Sequence, residues 1–393
     1  MSVTFPDGFL WGVAAAAHQI EGGNWNNDWW MFEHRPDTLC VEPSGDCTDS
    51  YHRYADDIAL VRDHGFGAYR FSIEWSRIEP EDGEFSIAAL DYYRRMLAEC
   101  HEQGVQPVVT FHHFSNPRWL AALGGWESEL VVDRFTRYCE RTVAHIGDLI
   151  SIGCTINEPN ILALMGYIVG AFPPGKQQDL GAYVAVNDNL VRAHRAAYDV
   201  LKGGPGDFPL GLCVAMGDWW SPDGAEEILA RARQSHEVQF LEAARGDDFV
   251  GVQAYSRTRI DQSGILGPEP GVEVVPSMGY EFWPQALEVA IRFAAETARV
   301  PLYVTENGLG HDDDTKRIAY VREALEGVGR CLADGLDVRG YFYWSLLDNF
   351  EWALGYGPRF GLVEVTRDTF VRTPKPSAAW LGNIARANHL GES

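Results

Sequence analysis

The chain has 393 residues with an apolar share of 46%, including 13 Trp, 16 Tyr and 19 Phe. This excludes a disordered chain, and roughly 75% of the unfolded surface can be buried without disulfide staples. Thirty-two basic residues against 56 acidic ones leave a net charge of −24, a sign that repels phosphate backbones and anionic lipid, so neither nucleic acid nor a membrane surface is an expected partner.

In chain order, the N-terminus carries no cationic n-region, and the apolar stretch 9–17 is too short to span a bilayer. The expectation is a cytoplasmic enzyme. Residues 10–16 and 68–75 read as the first two strands. Ser86 reads as the N-cap of a helix whose apolar face is Ile87, Leu90, Leu97 and Cys100 and whose stop is Gly104. A strand at 106–113 precedes a helix with Val132, Phe135, Cys139, Val143 and Ile146 on one face. Further strands are expected at 150–157, 210–216, 249–255, 302–305 and 339–344, each short, apolar and bounded by Gly, Pro or Asp, as buried parallel strands should be. The seven cysteines form no C-x-x-C pair, and Cys40 and Cys47 are expected as reduced thiols.

Eight strands alternating with helices suit a (β/α)₈ barrel or a doubly wound sheet. A dinucleotide-binding sheet would carry G-x-G-x-x-G after its first strand. Here that position reads Ala17-His18-Gln19-Ile20-Glu21-Gly22. Gln19, His113, Glu158, Tyr255, Glu306 and Trp344 all fall at or just past the C-terminal ends of expected strands, the face on which a barrel builds its site. The expected fold is therefore α/β, a single (β/α)₈ TIM barrel domain over residues 1–393, with its active site on that face.

Glu158 follows the fourth strand and Glu306 the seventh, on roughly opposite sides of an eight-stranded ring. Two carboxyls in opposite protonation states are what acetal hydrolysis requires. Arg70 ends a β-rich run leading inward.

Five segments resemble glycoside hydrolase family 1, the retaining β-glycosidases. Asn157-Glu158-Pro159 and Thr305-Glu306-Asn307-Gly308 are similar to its two signatures. The stretches Phe9-Leu10-Trp11-Gly12 through Gly22, Tyr69 through Ile78, and Trp344-Ser345-Leu346-Leu347-Asp348-Asn349-Phe350-Glu351-Trp352 resemble its opening, second-strand and closing segments. The resemblance implies Glu158 as general acid/base, Glu306 as nucleophile, and Arg70 and Tyr255 as its supports. It also implies Gln19, His113, Asn157, Glu351 and Trp352 as partners for sugar hydroxyls. Trp344 would be the apolar floor, and Phe360 would lie near the exocyclic carbon. The activity implied is a retaining exo-β-glycosidase acting on terminal glucose, with galactose or fucose as further sugars, of small β-glycosides or oligosaccharides. It needs no cofactor or metal, and monomer and homo-oligomer are both open.

His112 and His113 are adjacent on a strand and point to opposite faces, and no third ligand follows, so zinc is discounted. Asp312-Asp313-Asp314 lacks calcium-loop spacing and reads as a solvated loop. Gln253-Ala254-Tyr255 stands where the family usually shows Asn-Tyr-Tyr, and Phe114-Ser115-Asn116 where it often shows Trp-Asp-Leu. The stretch 261–276 is compact, and the chain is shorter than is usual. No Lys or Arg lies between Glu351 and Arg359, and Glu351 is expected to be ionised, which predicts preference for neutral over 6-phosphorylated glycosides. A transglycosylase using the same residues and a non-catalytic sugar-binding barrel are the rival readings.

Overall fold

The computed structural model describes residues 2–392. Eight parallel strands form a closed ring: β1 (Leu10–Ala14), β2 (Ala68–Ser72), β3 (Gln106–His112), β4 (Ile152–Asn157), β5 (Leu210–Trp220), β6 (Phe249–Asp261), β7 (Leu302–Asn307) and β8 (Val338–Trp344). Each pairs with the next, β8 returns to β1 with Tyr341 opposite Trp11, and β5 meets β6 with Leu212 opposite Val250. Between and after the strands lie α1 (Ser50–His64), α2 (Ile87–Glu102), α3 (Leu130–Ile146), α4 (Leu180–Gly203), α5 (Glu226–Arg233), α6 (Ala286–Ala298), α7 (Asp314–Ala333) and α8 (Pro376–Ala387). This is the expected (β/α)₈ barrel, the alternative that the polar residues at the strand ends favour over a doubly wound sheet.

Several strand ends differ from the expected ones. β1 stops at Ala14 because Ala16 begins the short helix Ala17–Ile20, and Ala17 donates its N–H to Ser72 Oγ at 2.8 Å. β2 stops at Ser72 because Glu74 caps the turn Trp75–Ile78, accepting from the Ser76 N–H. β5 and β6 run past Met216 and Tyr255, pairing from Asp218–Arg257 to Trp220–Arg259 above the barrel rim. β7 extends to Asn307, so Glu306 lies inside the strand.

Ser86 caps α2 as expected, its Oγ accepting from Ala89 N at 3.2 Å, and Gly104 takes the left-handed stop at φ +73°. Three of the four residues expected on the apolar face of α2, Leu90, Leu97 and Cys100, are buried. Leu90, Tyr93, Leu97 and Cys100 point inward, whereas Ile87 is 54% exposed, because it stands in the first turn beyond the reach of the barrel wall. The expected face of α3 is buried throughout. Asp312-Asp313-Asp314 is only partly a solvated loop: Asp313 caps α7, and Asp314 accepts from Ser377 and pairs with Arg317. All seven cysteines are free.

Inside the ring, Ala68, Val108, Ile152, Cys154, Cys213, Phe249 and Phe342 form a compact apolar plug contributed by six strands. Gly12 faces it, and a Cβ there would sit 2.4 Å from the Phe342 ring. Two residues beyond Ala68 along β2 the inward position is Arg70, fully buried. The plug thus becomes the dry floor of whatever lies at the C-terminal mouth.

Candidate active site

Glu158 ends β4 in the left-handed region, at φ +42°, and its carbonyl starts the next helix by accepting from Ile161 and Leu162. Phe114 at φ +68° and Trp352 at φ +51° share this conformation. Such a conformation costs a non-glycine residue about 1–3 kcal/mol. All three residues line one cavity of about 140 Å³, together with His113, Tyr255, Glu306, Trp344, Glu351 and Phe360. A drug-sized ligand needs roughly 300 Å³ or more, so the space suits a single small ring.

Glu306 is clamped. Arg70 Nη1 donates to its Oε1 at 2.5 Å and the Tyr255 hydroxyl to its Oε2 at 2.6 Å. Arg70 also donates through Nη2 to Asn157 Oδ1 at 2.5 Å. The same oxygen accepts from Gln253 Nε2 at 2.9 Å, and Asn157 Nδ2 lies 3.1 Å from His113 Nε2. Gln253 is one methylene longer than the family's usual Asn and still reaches Asn157. His113 stacks between Trp344 and Trp352, with centroids at 5.8 and 5.9 Å. His112 turns the other way, to Asn116 and the edge of Trp126. Among the described residues no cluster of His, Cys, Asp and Glu suits a metal ion.

Gln19 binds Phe350 O at 2.8 Å and lies 3.3 Å from Glu351 Oε2 through the same Nε2, so it reaches the cavity beside Glu351. Its Oε1, His113 Nδ1 and Gln253 Oε1 are buried without a protein partner. Buried polar atoms rarely stay unpaired, and acceptors and donors left over around a cavity suit a ligand rich in hydroxyls.

Burial raises both central carboxyls, but unequally. Glu158 is pushed well above the usual range by burial and then by Glu306. For Glu306, burial is opposed by Arg70 and Tyr255, which bond its ionised form directly. Glu158 therefore holds the proton of the pair, and Glu306 carries the charge. His113 is kept neutral by burial and by Arg70. Glu351 departs from the expectation of an ionised side chain: burial, then the Glu306 charge, push its carboxyl up to about 8. At neutral pH it is mostly a carboxylic acid.

Every residue singled out from the sequence lies in the cavity or in direct contact with its lining. Ile161, Phe172, Met278 and Tyr280 also line it, and the sequence reading does not pick them out. Met278 and Tyr280 sit in the loop between β6 and α6, which carries no periodic pattern. The only signal there was an aromatic among Gly and Pro.

Fold and cavity together define a (β/α)₈-barrel enzyme with a carboxyl pair at its mouth. The family model described as "Glycosyl hydrolase family 1" matches residues 1–273 and 272–390. Beta-glucosidase A of Acetivibrio thermocellus is 31% identical, covering 98% of this chain and 99% of the relative. Beta-glucosidase A of Thermotoga maritima is 33% identical, covering 98% of each. Among solved structures, the β-glycosidase BGL167 is 50% identical with a TM-score of 0.91, covering 99% of both chains. A β-glycosidase from Pyrococcus horikoshii is 34% identical with a TM-score of 0.93, covering 100% of this chain and 97% of that one. The chain belongs to glycosyl hydrolase family 1. The first of these alignments runs to 446 positions against 393 residues, so this chain lacks segments that the relative carries.

Proposed function

We propose that this enzyme removes the terminal non-reducing β-linked glucose, and also galactose or fucose, from small β-glycosides or oligosaccharides. The reaction is a double displacement with retention. The observation that carries this reading is the asymmetry of the carboxyl pair: Glu306 clamped by Arg70 and Tyr255, Glu158 free of any cation in contact. Relatives named beta-glucosidase and 1,4-beta-D-glucan glucohydrolase support the choice of sugar. The one-ring cavity supports exo action. Seven free thiols support a reducing, cytoplasmic location, and we read residues 1–393 as one catalytic domain.

In the first step Glu306 attacks the anomeric carbon while Glu158 gives its proton to the departing glycosidic oxygen, leaving a glycosyl ester on Glu306. Esterification removes the negative charge that helps hold Glu158 protonated. The Glu158 carboxyl then falls and can take a proton from water, whose oxygen displaces Glu306. In this reading Asn157 binds the 2-hydroxyl, Trp344 faces the ring's C–H surface, and neutral His113, Gln19, Glu351 and Trp352 bind the remaining hydroxyls.

Glu306→Gly is expected to abolish turnover. Glu158→Ala should recover activity with azide on an aryl β-glucoside, because the small anion attacks the glycosyl ester without base help. Analysis of the products should find a β-glycosyl azide, and the β-sugar first in the wild-type reaction. An α-sugar as first product, or a β-glycosyl azide formed by Glu306→Gly, would reverse or remove the assignment.

A further inference from the structure

The loop after β1 carries Trp25 with 61% of its surface exposed, although large aromatics are normally withdrawn from water. The indole borders a groove of about 310 Å³ whose other walls include Asn24, Asn26, Tyr51, Arg77 and Ser86. We propose that this groove is a second carbohydrate site, taking one pyranoside unit of a β-linked gluco-oligosaccharide; it rests on the oligosaccharide reading above for the identity of the sugar.

The chemistry of the walls points to a neutral polyhydroxyl ring. An exposed indole offers an apolar face to pyranose C–H groups, and the rest of the groove offers amides and a hydroxyl. Asn26 donates through Nδ2 to Ser76 O at 3.2 Å and to Pro80 O at 3.1 Å, which fixes its orientation and leaves Oδ1 as an acceptor. Arg77 is held by Glu21 Oε2 at 2.8 Å through Nε and by Gly22 O at 2.7 Å through Nη2, and lies 4.2 Å from the Tyr51 ring centroid. Nη1 remains as a donor. Glu21 already neutralises the Arg77 guanidinium, so Arg77 is not the bare charge that a phosphate or sulfate would need.

A second observation is independent of Trp25. Asn24 lines the groove, is only 3% exposed, and has Oδ1 buried without a hydrogen-bond partner, while its Nδ2 faces Glu21 Oε2 at 3.4 Å. An amide oxygen left unpaired at such a place is satisfied by whatever occupies the groove. Arg118 lies 6.0 Å from the Trp25 ring, and most of the indole stays open. The polar groups are fixed before a ligand arrives, which lowers the entropy lost on binding.

The groove is built from the loops after β1 and β2, on the same face as the cavity, and Trp25 follows Gln19 by six residues on one loop.

The test titrates cellotetraose into full-length Glu306→Gln protein, which binds without turnover, and into the same protein also carrying Trp25→Ala or Asn26→Ala. Two binding events are expected in the first protein. Trp25→Ala should weaken one of them by roughly fivefold or more, Asn26→Ala should weaken the same one, and the other should stay intact. Trp25→Ala alone should leave kcat/KM on 4-nitrophenyl β-glucoside unchanged. A single binding event in the parent protein, or two that persist unaltered in Trp25→Ala, overturns the proposal. Trp25-dependent binding in an enzyme that fails to cleave β-glucosides would sink the catalytic reading and leave the groove standing. Hydrolysis without Trp25-dependent binding would sink the groove alone.

Discussion

Glu351 shows how strongly a single carboxyl depends on its setting. With burial and the Glu306 charge holding it near 8, it both donates and accepts hydrogen bonds at neutral pH, as a sugar hydroxyl partner should. It gains a full negative charge only as the pH rises through that value. A 6-phosphorylated sugar carries about two charges of its own. The preference for 4-nitrophenyl β-glucoside over its 6-phosphate should therefore be present at pH ~6.5 and widen severalfold by pH ~9, where like charges face each other in a poorly hydrated site. A ratio of kcat/KM values that stays flat or narrows across this range would remove Glu351 from the sugar site. The identity of this residue was legible in the sequence, but its protonation state was not. That state is set by Glu306 from another strand and by a burial that only the closed ring creates. The same holds for Tyr280, whose place in the cavity depends on where an aperiodic loop lands.

Among the elements, the positions of the strands were legible because short apolar runs between Gly, Pro and Asp have few alternatives. Their ends were not, since Ser72 and Glu74 redirect the backbone through bonds that no local pattern announces. Gly308 is an instance with consequences for function. It follows Glu306 by two residues, and a Cβ there would lie 2.0 Å from the Trp344 carbonyl, so β7 and β8 could not converge as they do. Overpacking of this kind costs about 1–3 kcal/mol, and a displacement of about 1 Å at a reacting group can cost on the order of a hundredfold in rate. Gly308→Ala should lower Tm by a few degrees and reduce kcat/KM about ten- to a hundredfold. Thermal melts and steady-state kinetics on one preparation check both. Full activity with unchanged Tm would mean that the strand ends yield more than their geometry indicates.

For the molecule as a whole, burial of carboxyls ties stability to pH. Asp28 is raised to about 7 and Glu351 to about 8, so the folded chain holds these protons at pH values where the unfolded chain has released them. With more protons bound in the native state, stability falls as pH rises between the unfolded and folded pKa values. The imidazoles of buried His112 and half-buried His236, both lowered to about 4, and of buried His113, held well below its usual value, act in the opposite direction, but only up to about 6.5. The two sets oppose each other between about pH 4.5 and 6.5, and the carboxyls act unopposed above it. Tm should decline from pH ~6.5 to ~8.5. Asp28→Asn should flatten that decline, and calorimetry at constant salt would show it. A Tm that climbs through the upper window would contradict the assignment. The net charge of −24 was legible from composition, but this dependence was not, because it arises from which few of the 56 acidic residues are enclosed.

Asn157 joins side chains from four strands: it receives Arg70 from β2 and Gln253 from β6, and reaches His113 just past β3 from its own place on β4. A hub of this kind constrains how the enzyme can diversify. A change at any spoke alters the partners of the others and, through Arg70, the clamp on Glu306, so single substitutions at the strand ends meet coupled losses. Met278 and Tyr280 touch the same cavity from a loop that shares none of those bonds. New sugar preferences are accordingly most accessible, to natural variation or to a laboratory library, through that loop, with the strand ends left as a fixed chassis.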